Sequence, residues 1–196
     1  MDKKTLSRIT GQAMKCEGQT TRAELAVLAT LAAAVPSNQV IVEIGSYMGR
    51  STVALALGSL AGNSVRVYAI DPHESFVGAK GGVFGPQDME LLYVNLIRAG
   101  VGRTAAAVCL PAAEVAAGWT KSVGLWFHDG DHREAALRRD LENWWQHIAI
   151  NGKLVFHDSS SPGVMRVLNG LCSIECYNCL EIRGVEREIT WFHKRA

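Results

Sequence analysis

A chain of 196 residues with 48% hydrophobic content is long enough for one sizeable core, short for two, and too apolar for general disorder. Its net charge of +1, with acids and bases spread along the length, offers no basic stripe to a nucleic acid. The longest apolar run, Ala23 to Val35, is opened by a charged turn and stopped by Pro36, too short for a bilayer and without a cleavage signature. The expectation is a cytoplasmic protein with no membrane or nucleic-acid partner. No repeat or linker divides it, so residues 1–196 read as a single domain that includes an N-terminal helical segment, 1–36.

From there the pattern alternates. Val40 to Ile44 is the first strand, followed by a glycine-containing turn and a helix from Ser51 to Leu60. Val65 to Ile70 is the second strand, ending at Asp71-Pro72, and a helix from Gln87 to Ala99 follows a glycine-rich stretch, Glu74 to Pro86, long enough for a lid. Ala105 to Leu110 is the third strand, with a short helix after Pro111. The fourth, Val123 to His128, ends in Asp129-Gly130-Asp131-His132. The next helix sets Leu137, Leu141, Trp144 and Ile148 on one stripe and stops at Asn151-Gly152. Lys153 to His157 is the fifth strand and Gly163 to Leu171 a helix. Tyr177 to Ile182 and Glu188 to His193 then pair across a turn at Arg183 to Glu186. Nearly continuous apolar strands alternating with helices predict an α/β fold, a Rossmann-like three-layer sandwich around a mostly parallel sheet with an antiparallel C-terminal hairpin. Ligands in such sheets bind beyond the carboxyl ends of the strands.

Five cysteines, an odd number, do not read as a disulfide framework. Cys172, Cys176 and Cys179 have the C-x3-C-x2-C spacing of the iron–sulfur ligands in radical-SAM enzymes. It falls near the C-terminus, between a helix and a strand, so the plain reading of scattered thiols stands against it.

The segment Glu43-Ile44-Gly45-Ser46-Tyr47-Met48-Gly49-Arg50-Ser51 carries the most information. Gly45 permits a tight turn off the strand and Gly49 a close approach as the helix starts. A dinucleotide loop reads G-x-G-x-x-G. Here Tyr47 and Met48 would crowd a pyrophosphate but leave room for a slimmer methionine chain, which argues against an NAD(P)-binding oxidoreductase. Helix-start amides and Ser51 suit that ligand's carboxylate, and Glu43 its ammonium group. Asp71, 26 residues after Gly45 at the second strand's end, suits the hydroxyls of a ribose.

With those residues in hand, Val40 to Gly58, Tyr68 to Pro72 and Phe127 to Asp158 resemble the class I S-adenosylmethionine-dependent methyltransferases. The resemblance is to the branch holding catechol O-methyltransferase and the macrocin-type sugar O-methyltransferases, and it runs from about Glu17 to the C-terminus. It implies a seven-stranded sheet whose last strand is inserted antiparallel. It also implies S-adenosylmethionine (SAM) lying across the first two strand ends, held at Glu43, Gly45, Ser46, Gly49 and Asp71. In the resembling enzymes acidic residues at positions matching Asp129, His157 and Asp158 hold Mg²⁺, which takes two substrate oxygens as Lewis acid and template.

His157 departs from that pattern, since Mg²⁺ prefers oxygen ligands. A weaker site, a Mn²⁺ or other imidazole-tolerant site, and a metal-free site all stay open; in the last, His157 orients Asp158 or binds substrate. His132 stands where the macrocin-type enzymes carry a histidine and catechol O-methyltransferase a lysine, which implies a general base working beside Asp129. The plain alternative is a solvated histidine on a helix's first turn. Asp131 reads as that helix's N-cap and His128 as a packed residue. The resulting expectation is methylation of a hydroxyl on a sugar or other small polar metabolite, with a homodimer left open. A non-catalytic SAM-binding protein is the sharpest rival. A nucleic-acid methyltransferase lacks its N/D-P-P-Y-type motif here.

Overall fold

The computed structural model describes residues 1–78, 81–171, 180–186 (backbone only) and 188–195. The strands are β1 (Val40–Ile44), β2 (Val67–Ile70), a short hairpin of β3 (Phe76–Val77) and β4 (Val83–Phe84), β5 (Ala105–Val108), β6 (Val123–His128), β7 (Ile148–Phe156), β8 (Leu180–Glu186) and β9 (Ile189–Lys194). The helices are α1 (Lys3–Ala13), α2 (Arg22–Ala33), α3 (Arg50–Leu60), α4 (Pro86–Arg98), α5 (Ala112–Ala117), α6 (Glu134–Trp144) and α7 (Pro162–Leu171). Seven strands form one sheet in the order β5-β2-β1-β6-β7-β9-β8. β5, β2, β1, β6 and β7 run parallel, and β9 enters antiparallel between β7 and β8. The expected Rossmann-like sandwich is therefore present, closing hairpin included.

Strand alternation divides the core between two faces. Ile41, Val67, Leu125, Phe127 and Val155 face α2, α3 and α4, where Leu25, Leu28, Val53, Leu92 and Leu96 are buried. Val42, Ile44, Trp126, Leu154 and Phe156 face α5, α6 and α7, meeting Leu137, Leu141, Trp144 and Val167. On the first face α2 lies hard against α3. A Cβ on Gly58 would stand 2.4 Å from the Ala29 carbonyl oxygen, so only glycine allows the helices this separation. That contact fixes α2 in depth.

Two boundaries correct the sequence reading. The helix expected to run to Asn151-Gly152 ends at Trp144, passes through a 3₁₀ turn at Trp145–His147, and Ile148 already opens β7. Ile148 pairs with Val123 and Lys153 with Leu125, so residues 149–152 loop out as an irregularity inside the strand, Asn151 with φ 63°. A helix stop and a strand irregularity use the same residue types, because both need a left-handed turn. The C-terminal hairpin repeats the lesson. Gly184 and Val185 pair with Trp191 and Thr190, and the register shifts between Ile182 and Gly184, so the glycine marks a bulge rather than the expected turn. Cys172, Cys176 and Cys179 lie outside the described residues. Among the described residues no helix is long and apolar enough to cross a membrane.

Candidate active site

β1 and β6 are neighbours in the sheet, although the chain leaves them in opposite directions, and a cleft of about 440 Å³ opens at their carboxyl ends. Its floor is the glycine loop. Gly45 has φ 83°, and a Cβ there would fall 2.5 Å from the backbone oxygen of Asp129, so the loop presses directly on the end of β6. Tyr47 also takes a left-handed φ of 46°. Asp71 braces this turn from β2: the amides of Ser46 and Tyr47 both donate to its Oδ2 at 2.9 Å, and the His73 amide donates to Oδ1 at 3.0 Å. Ser46 lines the cleft with its Oγ buried and without a hydrogen-bond partner among the described residues. Gly49 caps α3 with φ 87°, and Ser51 in the first turn reaches the cleft wall.

Glu43 stands behind this wall. It is wholly buried, its Oε2 accepts the Thr52 hydroxyl at 2.5 Å, and its Oε1 has no partner among the described residues. Burial, opposed by the Ser51 and Thr52 hydroxyls, pushes its carboxyl up to about 8. The position expected to meet an ammonium group thus braces α3 from below.

Two histidines and two aspartates meet at the ends of β6 and β7. His157 Nδ1 is 2.9 Å from Asp129 Oδ1, and His132 Nε2 is 3.5 Å from the same oxygen. His132 Nδ1 is 3.2 Å from Asp158 Oδ2, while Asp158 Oδ1 is 3.8 Å from His157. Although the His157–Asp129 contact is short, both ring nitrogens of His157 and Nε2 of His132 lack aligned hydrogen bonds among the described residues. Donor atoms of Asp129, His132 and His157 lie within 4.8 Å of one another, as a common ligand between them would require. The converging trio contains His132, expected as a base, where the sequence reading had Asp158. Burial raises the Asp129 carboxyl, but His157 and His132 outweigh it and hold it down to about 2. Burial disfavours the His157 imidazolium, yet Asp129, Asp158 and Glu24 together lift it to about 9.

Other expectations sort by place. Glu17 to Thr20 fold along the cleft, tied down by Arg50, whose guanidinium donates to the carbonyls of Cys16 (2.9 Å) and Thr20 (3.1 Å). The β3–β4 hairpin forms the opposite rim, with Phe84 edge-on to Tyr47 at 5.1 Å and stacked on Phe76 at 4.8 Å. His128 packs inward against Asp140 at 3.2 Å. Asp131 does not cap α6: Arg133 holds the cap position, and Asp131 accepts its amide at 3.0 Å and pairs with its guanidinium. Arg50, His73 and Glu24 were not anticipated. The first two carry no motif, and Glu24 announces itself only as the end of a Thr21-x-x-Glu24 capping box.

A glycine loop braced by a strand-end acid, facing an acid–imidazole cluster across a switch-point cleft, invites comparison with known proteins. The family model described as "Methyltransferase domain" matches residues 42–159, more than half of the chain. The chain belongs to that family. Solved structures similar to this methyltransferase domain include the Podospora anserina methyltransferase PaMTH1 bound to S-adenosylhomocysteine (SAH). There the TM-score is 0.70 at 12% identity, over 100% of this chain and 89% of that one. The O-methyltransferase TomG from Streptomyces achromogenes, in complex with SAM, gives 0.67 at 15% identity over 100% and 92%. An rRNA methylase from Streptococcus thermophilus gives 0.62 at 12% identity over 91% and 100%. At these identities the similarity establishes the methyltransferase fold and leaves the acceptor to be argued from the cleft.

Proposed function

We propose that this chain is a SAM-dependent O-methyltransferase acting on a hydroxyl of a small polar acceptor, with His132 as general base. The observation that carries the reading is the placement of His132. Its Nδ1 lies 3.2 Å from Asp158 Oδ2, and its Nε2, 3.5 Å from Asp129 Oδ1 without an aligned hydrogen bond among the described residues, stands at the wall of a cleft whose floor is the glycine loop.

The cleft fits the cofactor on its own terms. The unpartnered Ser46 hydroxyl and the amides at the start of α3 suit a carboxylate. Asp71, with Oδ2 engaged by two amides, keeps acceptor capacity on Oδ1 for ribose hydroxyls. Bound there, SAM supplies an electrophilic methyl group that passes to the acceptor oxygen as its carbon–sulfur bond breaks, leaving SAH. The chain's part is to bind, orient and take a proton. His132 Nε2 accepts the hydroxyl proton, Asp158 on Nδ1 keeps the ring turned toward the cleft, and Asp129 stabilises the imidazolium that results. Base catalysis of this kind contributes ~10²–10⁴-fold.

A second reading rests on the convergence of Asp129, His132 and His157. One carboxylate and two imidazoles suit Mn²⁺ or another imidazole-tolerant divalent ion better than Mg²⁺. These side chains would hold the ion, which would orient and acidify an acceptor hydroxyl. The acids along the cleft, among them Glu17, Glu74, Asp88 and Asp131, support a small acceptor over a polyanionic RNA.

The test begins with calorimetric titration of SAH, where absence of binding removes the whole proposal. Methyl transfer from labelled SAM to sugars, catechols and other hydroxyl acceptors follows, with and without Mn²⁺. Tight SAH binding with no transfer to any acceptor would instead mark a non-catalytic SAM-binding protein.

A further inference from the structure

The two sides of α4 have different uses. On its inner side Leu92 and Leu96 are buried, and the Leu92 side chain stands 2.7 Å from where a Cβ on Gly49 would fall. The Asn95 amide group donates to the Met48 carbonyl at 2.7 Å, so this side backs the glycine loop. The outer side carries four exposed large apolar residues, Leu91, Tyr93, Val94 and Ile97, whereas no other helix among the described residues exposes more than one. Ile97 is 74% exposed. α4 packs on β5, the edge strand of the sheet, and a stripe of this kind at the border of a fold marks an interaction surface.

The sequence of the stripe says what covers it. With 3.6 residues per turn, Glu90, Leu91, Val94, Ile97 and Arg98 fall on one arc of about 120° centred on Val94. Along the helix the arc reads acid, three apolar residues, base. Glu90 and Arg98 are about 12 Å apart along the axis, too far to pair with each other. Neither has an ion-pair partner among the described residues. A second copy of the helix, laid antiparallel about a two-fold axis at Val94, answers each part of this pattern. Val94 meets Val94, Leu91 lies level with the partner's Ile97, and Glu90 lies level with the partner's Arg98. The charge pair that one helix cannot close is closed twice by two. Tyr93 and Leu110, exposed on the flank towards β5, widen the apolar face beyond the helix, towards the about 800 Å² that each partner of a standard interface buries.

We propose that the outer face of α4 is a self-association surface, through which two copies of this chain pair antiparallel about Val94. α4 begins at the cleft, where Gly85 and Asp88 line the wall, so the pairing sets the two clefts at opposite ends of the dimer. The surface lies outside the cleft, and its pairing does not depend on the reaction proposed above.

Sedimentation equilibrium of the full chain should show a dimer that dissociates on dilution; a monomer at every concentration overturns the proposal. Val94→Glu sets two like charges against each other on the axis and is expected to weaken association on the order of 100-fold, with the far-ultraviolet circular dichroism unchanged because the residue lies on the surface. A dimer that survives Val94→Glu uses another face and also overturns it. Register is tested by charge. Glu90→Arg and Arg98→Glu should each weaken self-association about 10-fold, since each opposes like charges at both ends of the pair. Mixed in equal amounts, these two variants should associate with each other as tightly as the wild type does with itself, because each supplies the charge that the other lacks. Failure of the mixture to recover the dimer rejects the antiparallel pairing, and recovery cannot come from a variant that has merely misfolded.

Discussion

The glycine loop and the strand-end cluster face each other across one cleft but are held by different means. The loop is a matter of backbone: left-handed turns at Gly45 and Tyr47, amides of Ser46 and Tyr47 on Asp71, and a glycine cap on α3. The cluster is a matter of charge, with His132 and His157 suspended among Asp129, Asp158 and Glu24 at distances of 2.9–3.8 Å. Backbone tolerates few residue types and writes them at fixed spacings. Charge tolerates any arrangement that brings the groups together, and it draws on distant parts of the chain.

The sharpest way to break the comparison is Gly45→Ala. Its Cβ meets the Asp129 backbone, so both regions should fail together, with SAH binding and methyl transfer lost in a chain that still folds. Retained SAH affinity would show that the loop yields more easily than its geometry implies. His132→Ala acts on the cluster alone. Turnover should drop by ~10²–10⁴-fold while SAH still binds, and unaltered turnover would remove His132 from the chemistry. Asp71→Ala acts on the loop alone. Losing a charged acceptor for two amides is expected to cost SAH binding about 2 kcal/mol, roughly 30-fold in Kd, and an unchanged Kd would place the cofactor elsewhere.

Glu43→Gln sharpens the contrast with the smallest effect, read as a pH dependence. Glu43 holds its proton more tightly folded than unfolded. Its contribution to stability is therefore complete below its ordinary value near 4.5 and is lost as pH rises to about 8. Denaturant unfolding across that window should show a stability decline of at most ~1.4 kcal/mol per pH unit from this group, flattened in the variant. A slope that persists in Glu43→Gln would assign the decline to other groups.

This division also explains how far the sequence could be read. Glu43, Gly45, Gly49 and Asp71 were visible because a turn off a parallel strand admits few residues and places them regularly. Asp129, His132, His157 and Asp158 were visible because two parallel strands end side by side. Their partition was not: whether His132 or Asp158 joins Asp129 and His157 depends on ring rotations that spacing does not encode. Glu24 was hidden because its partner lies far along the chain, and its local pattern explains it fully as a helix cap. Asn151-Gly152 and Arg183-Gly184 misled for one reason. Both have the composition of element ends, and pairing with a neighbouring strand makes them irregularities inside strands.

The tight joint between Gly45 and the Asp129 carbonyl has a bearing on engineering. Because the two half-sites touch through main chain rather than through side chains, they are not interchangeable modules. A chimera that takes the chain up to α4 from one family member and the rest from another inherits a mismatched seam before it inherits a new acceptor preference. Libraries aimed at acceptor scope are better spent on the β3–β4 hairpin and the outer turn of α6, which border the cleft without setting the distance across it.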